Sequence, residues 1–458
     1  MKINPPETVI DGNNPFKEAL FGREEFAKSL TNLLQNVSEN LVIFVNAPWG
    51  AGKSTFARMW RAHLKQNKRE VIYFDAYAAD YFDDPFVSFS GEILELIDRH
   101  FPEGKELAER REFKKTAVEI GKKLAGLSVK IGLRAATLGA IEATDFKDLE
   151  EAGKEIASGV SEIGAKVIEK KIENYAGEKD ALKSFKKSLG AVAAKFKAEN
   201  GFPLTIIVDE LDRCRPDFAL GLLERIKHLF DVEGVAFVLL VNREQIESYI
   251  QNIYGNKDTR DYLLKFGSLF IDLPGQEPLY SNYHSCGRDG YCVRLFHHYE
   301  LGNRMAQRDV DLWGSCIGIF AAHFALTLRE IEKAFAIMVL YYASLPTHYS
   351  NPLLTTLLSV LKVKCPDIYQ RLSVGQIKAD EFFDLTRFYQ MNCRSSALNL
   401  EQAVDNLKYC LLMESEFKGL SDADRNRITH LGMYLGRSRS NIIPSICQQL
   451  DRFSLQPL

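Results

Sequence analysis

The sequence predicts an α/β fold with a mainly parallel sheet, on three observations. Five short apolar runs have strand length and strand composition. The first of them, Leu41–Val45, is apolar throughout rather than alternating, as a strand covered on both faces is. Helical patterns lie between most of them, as crossovers between parallel strands require.

The first run, Leu41–Val45, is bounded by polar residues and a Gly/Pro turn, and a helix follows from about Ser54 to Leu64. Val71–Phe74 is the second run, and Leu204–Val208, after Pro203, the third. Val235–Val241 and the short Leu269–Leu273 complete the set. Between the second and third runs lies a stretch from about Phe86 to Asn200 that is nearly free of proline and reads as helix. A crossover needs about a dozen residues, so most of this stretch is read as an insertion. Its last helix carries Leu182, Phe185, Leu189, Val192 and Phe196 at helical spacing among five lysines. Two readings stay open: a basic amphipathic helix for a membrane surface or nucleic acid, or, the favoured one, a helix packing its stripe on the sheet.

After Pro274 the pattern is helical and rich in aromatics. A chain of 458 residues is expected to hold two or three domains. The expected division is a core in two parts, 1–104 and 200–275, with a helical insertion at 105–199. A helical lid at 276–370 and a helical tail at 371–458 follow. A loop rich in Gly, Ser and Asn, Gly275 to Gly290, joins lid to sheet.

With 46% hydrophobic and 26% charged residues, the chain reads as globular rather than disordered. A net charge of −3 gives no reason to expect a nucleic-acid binder, although local basic stretches leave the question open. The start has no basic-then-apolar leader, and the eight cysteines have no paired spacing, so a cytoplasmic location is expected. The nearest approach to a membrane helix is Leu124 to Ile141, where Lys130 and Arg134 sit mid-segment. Each would cost about 2.5–3.5 kcal/mol at a bilayer centre, so no transmembrane span is expected.

The chemistry begins directly after the first run, at Ala47-Pro48-Trp49-Gly50-Ala51-Gly52-Lys53-Ser54-Thr55. Gly50 and Gly52 let the backbone curl so that successive N–H groups turn toward phosphates. The following helix adds its positive end. Lys53 is placed for the β- and γ-phosphates and the Ser54 hydroxyl for Mg²⁺. A Gly-rich turn that happens to contain Gly-Lys-Ser-Thr is the bland alternative, and the strand–loop–helix context argues against it. ATP (or GTP) and Mg²⁺ are therefore the expected ligands.

The third run ends in Val208-Asp209-Glu210-Leu211-Asp212-Arg213. Asp209 can hold magnesium, directly or through water, and Glu210 can deprotonate an attacking water, with Asp212 the next residue to test for that role. After the fourth run, Asn242 can orient that water, or can be an ordinary strand-end turn residue. Phe21 and Arg23, in Phe21-Gly22-Arg23-Glu24, are placed to border the adenine. Thr327-Leu328-Arg329-Glu330 reads as a helix-capping box. Arg329 there can reach the γ-phosphate of its own chain or be an exposed helix-start arginine. Arg243 is placed to project toward a neighbouring subunit, and Arg213 to pair with a nearby carboxylate. His284, Cys286, Cys292, His297 and His298 do not have the spacing of a structural zinc site.

In these pieces the chain resembles the KAP family of P-loop NTPases. The similarity runs through Phe21-Gly22-Arg23, Pro48-Trp49-Gly50-Ala51-Gly52-Lys53-Ser54 and Tyr73-Phe74-Asp75-Ala76-Tyr77. It continues through Asp209-Glu210-Leu211-Asp212-Arg213-Cys214-Arg215-Pro216, Phe237-Val238-Leu239-Leu240-Val241-Asn242-Arg243-Glu244, Tyr262-Leu263-Leu264-Lys265-Phe266 and Leu328-Arg329-Glu330-Ile331. The resemblance implies strand order 5-1-4-3-2 and a regulatory ATPase. In the family the insertion often carries membrane helices; this sequence keeps the insertion without a convincing span. It also has Glu210 and Asn242 where many relatives carry aspartates. Bacterial relatives include antiviral components commonly encoded beside nucleases or nucleotide-modifying enzymes.

The expected function is thus an ATP-driven switch that controls a protein partner, an effector encoded nearby, in antiviral defence. Homo-oligomerisation is part of that expectation. The alternative is a scaffold that binds nucleotide with little or no turnover.

Overall fold

The computed structural model describes residues 5–6, 8–36, 40–81, 85–100, 161–229, 231–255, 259–275, 288–300, 316–344, 351–391, 399–432 and 438–452. The stretch Leu124 to Ile141, most of the insertion, most of the loop before Gly290, and His284 and Cys286 lie outside them.

Five strands form one parallel sheet: β1 Val42–Asn46, β2 Val71–Asp75, β3 Leu204–Asp209, β4 Val235–Val241 and β5 Leu269–Asp272. Their order is β2-β3-β4-β1-β5, the expected 5-1-4-3-2 read from the other edge. Strands one, two and three run one residue further than the apolar pattern indicates. The ladder itself is the reason: Asp75 pairs with Asp209, and Asn46 pairs with both Val241 and Asp272. Backbone pairing ignores the polarity of the side chain, so these polar residues end up on the carboxyl edge of the sheet.

Alternation along the strands divides the core into two layers. On one face Phe44, Phe74, Ile206, Val208, Phe237 and Leu239 meet the helices Pro85–His100, Ser161–Asn200 and Pro216–Ile226. On the other Ile43, Val45, Ile207, Val238 and Leu240 meet Arg23–Asn36 and Lys53–Gln66 through Leu30, Phe56 and Trp60. The stripe at the end of the insertion belongs to the first layer. Phe185, Leu189, Val192 and Phe196 are buried against the sheet, each contributing about 1.5–3 kcal/mol relative to exposure. Of the lysines around that stripe, Lys186 pairs with Asp231 at 2.7 Å.

The region after β5 is helical, from Arg288–Tyr299 through Leu328–Ser344 and Pro352–Lys364 to Ile442–Asp451. One buried cluster runs through all of it, joining Leu295 and Phe335 to Phe382, Leu407 and Ile446. Tyr369 crosses the expected lid–tail division near residue 370, donating its hydroxyl to Asp451 at 2.9 Å, with the Cys447 carbonyl 3.3 Å from the same oxygen. Cys292 is part of this core. No helix among the described residues is long and apolar enough to cross a membrane.

Candidate functional site

The loop Ala47–Gly52 joins β1 to the helix Lys53–Gln66. Gly50 and Gly52 have φ of 78° and 87°, a region where a side chain is strained. Gly52 is the helix N-cap, and no side chain caps it, so the first-turn N–H groups remain available to a ligand.

Lys53 is buried, and its Nζ donates to the Ala47 carbonyl at 2.8 Å and to Asp212 Oδ2 at 3.2 Å. Trp49 donates its indole N–H to the same Asp212 oxygen at 2.6 Å. The Ser54 hydroxyl donates to the Glu210 carboxylate, which also pairs with Arg213. Glu210 has φ 60°, a left-handed conformation costing a non-glycine residue about 1–3 kcal/mol. It is the turn between β3 and the short 3-10 helix Leu211–Arg213.

Asp209 is fully buried. Its Oδ2 accepts from the Tyr73 hydroxyl at 2.7 Å and its Oδ1 from the Glu210 N–H at 2.9 Å. Burial pushes its carboxyl above the usual carboxylate range, against the pull of the Tyr73 hydrogen bond. The Tyr73 phenol is pushed up as well, first by burial and then by the Asp209 charge.

Arg23 is also buried, and burial pulls its pKa down to about 10. Its guanidinium donates to Pro274 O at 3.2 Å, to Gly52 O at 3.4 Å and to Ala51 O. A loop that turns its N–H groups inward leaves carbonyls pointing out, and these need donors. Phe21 is buried with its ring 5.3 Å from the Arg23 guanidinium and does not line the cavity described next.

A cavity of about 500 Å³ opens above the loop, within the range of about 300–1,000 Å³ that small-molecule sites occupy. Gly52, Lys53, Ser54 and Thr55 form its floor, with Glu210 and Arg213 to one side. Arg23, Pro48, Trp49 and Gly50 also line it, as do Pro6, Thr8 and Glu18 of the N-terminal segment. The rest of the lining comes from the helical region: Tyr291, Arg294, His298, Arg329 and Glu332.

Arg329 comes to the cavity because the capping box forms. The Thr327 N–H donates to Glu330 Oε2 at 2.7 Å, and the Glu330 N–H to Thr327 Oγ1 at 3.3 Å. Asn242 and Arg243 do not line the cavity. Asn242 precedes the helix Arg243–Tyr254 as its N-cap, and Arg243 donates from Nε to Glu247 at 2.6 Å, along its own helix. The amide that ties the strand ends here is Asn46, which accepts from the Arg243 N–H at 3.0 Å and donates to Asp272 at 2.8 Å.

Sequence reasoning placed Arg329 near the site but missed Tyr73, Tyr291, Arg294 and Glu332, and placed Asp212 only as a substitute base. Asp212 had a signal, since it lies three residues past Asp209 in one acidic run. Tyr291 and Arg294 had none. They reach the cavity only because the helical region packs there, with Tyr291 donating to Glu332 and Arg294 pairing with Glu18 at 3.5 Å.

The KAP family P-loop domain matches residues 23–345, and the chain belongs to that family. Among solved structures the chain is similar to the ORC2 protein of Aeropyrum pernix, solved as ADPNP–ADP complexes, with 13% identity, 95% of each chain covered and a TM-score of 0.33. It is also similar to PCH-2 of C. elegans, with 10% identity, 76% of this chain and 69% of that chain covered, and a TM-score of 0.32. No curated protein matches the chain.

Proposed function

We propose that this KAP-family chain is a nucleotide-operated switch that binds ATP with magnesium in the cavity above the phosphate loop and hydrolyses it. One observation carries the reading. An uncapped helix N-terminus, Lys53, Ser54 and Glu210 meet in one cavity that the helical region also lines. Phosphates there would take hydrogen bonds from the loop N–H groups and from Lys53. Glu210 would accept the proton of the attacking water. Arg213 and Arg329 are two of the cations lining the cavity that could meet charge developing on the transferred group.

The residues fit magnesium, a hard cation that takes oxygen ligands. Ser54 Oγ, on the cavity lining, would supply one such oxygen. Both oxygens of Asp209 already accept hydrogen bonds, which suits it to act through a water. When bound, the ion would neutralise charge between the β- and γ-phosphates.

The switching part of the proposal rests on the shared walls: a ligand touching loop and helical region at once changes how the two pack. Control of a protein effector in antiviral defence, and self-association, rest on family analogy alone. Steady-state ATP turnover by the wild-type protein, set against Glu210→Gln, tests the enzyme reading. The pairing of Glu210 with both Ser54 and Arg213 favours one second reading, a nucleotide-binding scaffold. Turnover no faster than that of Glu210→Gln would leave the scaffold standing.

A further inference from the structure

Asp212 is fully buried, yet none of the steps above uses it. Its Oδ2 accepts two donors from the phosphate loop, Trp49 Nε1 at 2.6 Å and Lys53 Nζ at 3.2 Å. Its Oδ1 is buried with no hydrogen-bond partner among the described residues. Its own carbonyl is held by the Tyr249 hydroxyl at 2.9 Å, from the helix that follows β4. The backbone of Asp212 is thus tied to the helix after β4, while its carboxylate holds the loop at positions 49 and 53, on either side of Gly50 and Gly52.

An ammonium has three N–H donors. In Lys53 one goes to the Ala47 carbonyl and one to Asp212 Oδ2. With two directions taken, the third is determined, and Lys53 lines the cavity floor. A lysine on a flexible four-carbon stem otherwise acts as a mobile point charge. We propose that Asp212 is a positioning residue: by holding Lys53 and Trp49 on one oxygen, it aims the remaining Lys53 N–H at the phosphate position.

The inference rests on the nucleotide-site reading, and the two can fail separately. Lys53 is assigned to the β- and γ-phosphates, so its orientation matters for ATP and ADP and not for AMP. Affinities of ATP, ADP and AMP are measured by competition against a fluorescent ATP analogue for the wild type and Asp212→Asn. The amide keeps the shape and can accept the same two hydrogen bonds, but it has no charge to hold the ammonium. Expected is a loss of about tenfold for ATP and ADP, as for one hydrogen bond to a charged group, with AMP unchanged. A structural loosening would weaken all three alike, and that result, or ATP affinity within about twofold of wild type, overturns the inference. A wild-type protein that binds no nucleotide overturns the site reading and this inference with it. Should Asp212→Asn not fold, Trp49→Phe supplies the second test, since Trp49 is half-exposed and phenylalanine keeps an aromatic ring there without the N–H. Removing that donor frees the carboxylate on one side, and ATP affinity should fall severalfold with AMP again unchanged. An unchanged ATP-to-AMP ratio in Trp49→Phe sinks the proposal.

Discussion

The backbone N–H of Arg329 donates to the carbonyl of Gly50 at 3.3 Å, and a side chain on Gly50 would begin 2.6 Å from Arg329 Cβ. The first turn of the helix Leu328–Ser344 thus rests directly on the phosphate loop. Glycine at position 50 is required twice, for its φ of 78° and for this approach.

Gly50→Ala is therefore expected to destabilise the protein by about 1–3 kcal/mol and to weaken ATP binding. The backbone must leave the left-handed region or the helix start must move. Thermal denaturation reads the first effect and nucleotide titration the second. Wild-type behaviour in both would mean that the helical region does not seat on the loop.

Lys53→Ala should abolish measurable ATP binding, because it removes the buried ammonium that the loop holds at the cavity floor. It should also lower stability, since Asp212 would be left buried without its counter-charge, a loss of about 3–5 kcal/mol. Titration with a fluorescent nucleotide and a urea melt check the two effects. Undiminished affinity would show that the phosphates bind elsewhere.

For Glu210→Gln, binding should persist and turnover should drop by about 10²-fold or more. The amide preserves shape and can still accept from Ser54, but it takes no proton from water. Phosphate release under saturating ATP is the measurement. Turnover at the wild-type rate would remove Glu210 as the base.

His63 and His228 give the fold a pH dependence of known sign. Burial, followed for His63 by the charge of Arg69 and for His228 by that of Lys227, lowers both below the ordinary 6.5. The folded state then binds fewer protons than the unfolded chain just below that value. The stability tied to the neutral rings is present above 6.5 and lost as pH falls through the folded values. Melting temperature should be lower at about pH 5.5 than at about pH 7.5, and His63→Gln should narrow the difference. A difference unchanged by His63→Gln would assign the effect to other groups.

Much of the site was legible in the sequence because its chemistry is local. Gly50, Gly52, Lys53 and Ser54 are consecutive or nearly so, and the strand before and helix after them are readable from apolar period alone. The capping box at Thr327 and Glu330 is legible for the same reason, since its two partners lie three residues apart. Arg23 is the opposite case. Its position beside the site was readable, but its work was not, because the carbonyls it satisfies belong to Ala51, Gly52 and Pro274. The partner of Arg243 within the chain, Glu247, lies one turn along its own helix.

By itself, then, the sequence determined the five-stranded α/β core, the phosphate loop and the acidic end of β3, because period, turn glycines and strand-end carboxylates act over a few neighbouring residues. Only the tertiary structure decided that Tyr73 holds Asp209 from 136 positions away, that Asp212 joins Lys53 to Trp49, and that Tyr291 and Arg294 wall the cavity. Those pairings depend on which strands lie side by side and where the helical region docks, and such long-range contacts are settled by the packing of the whole core.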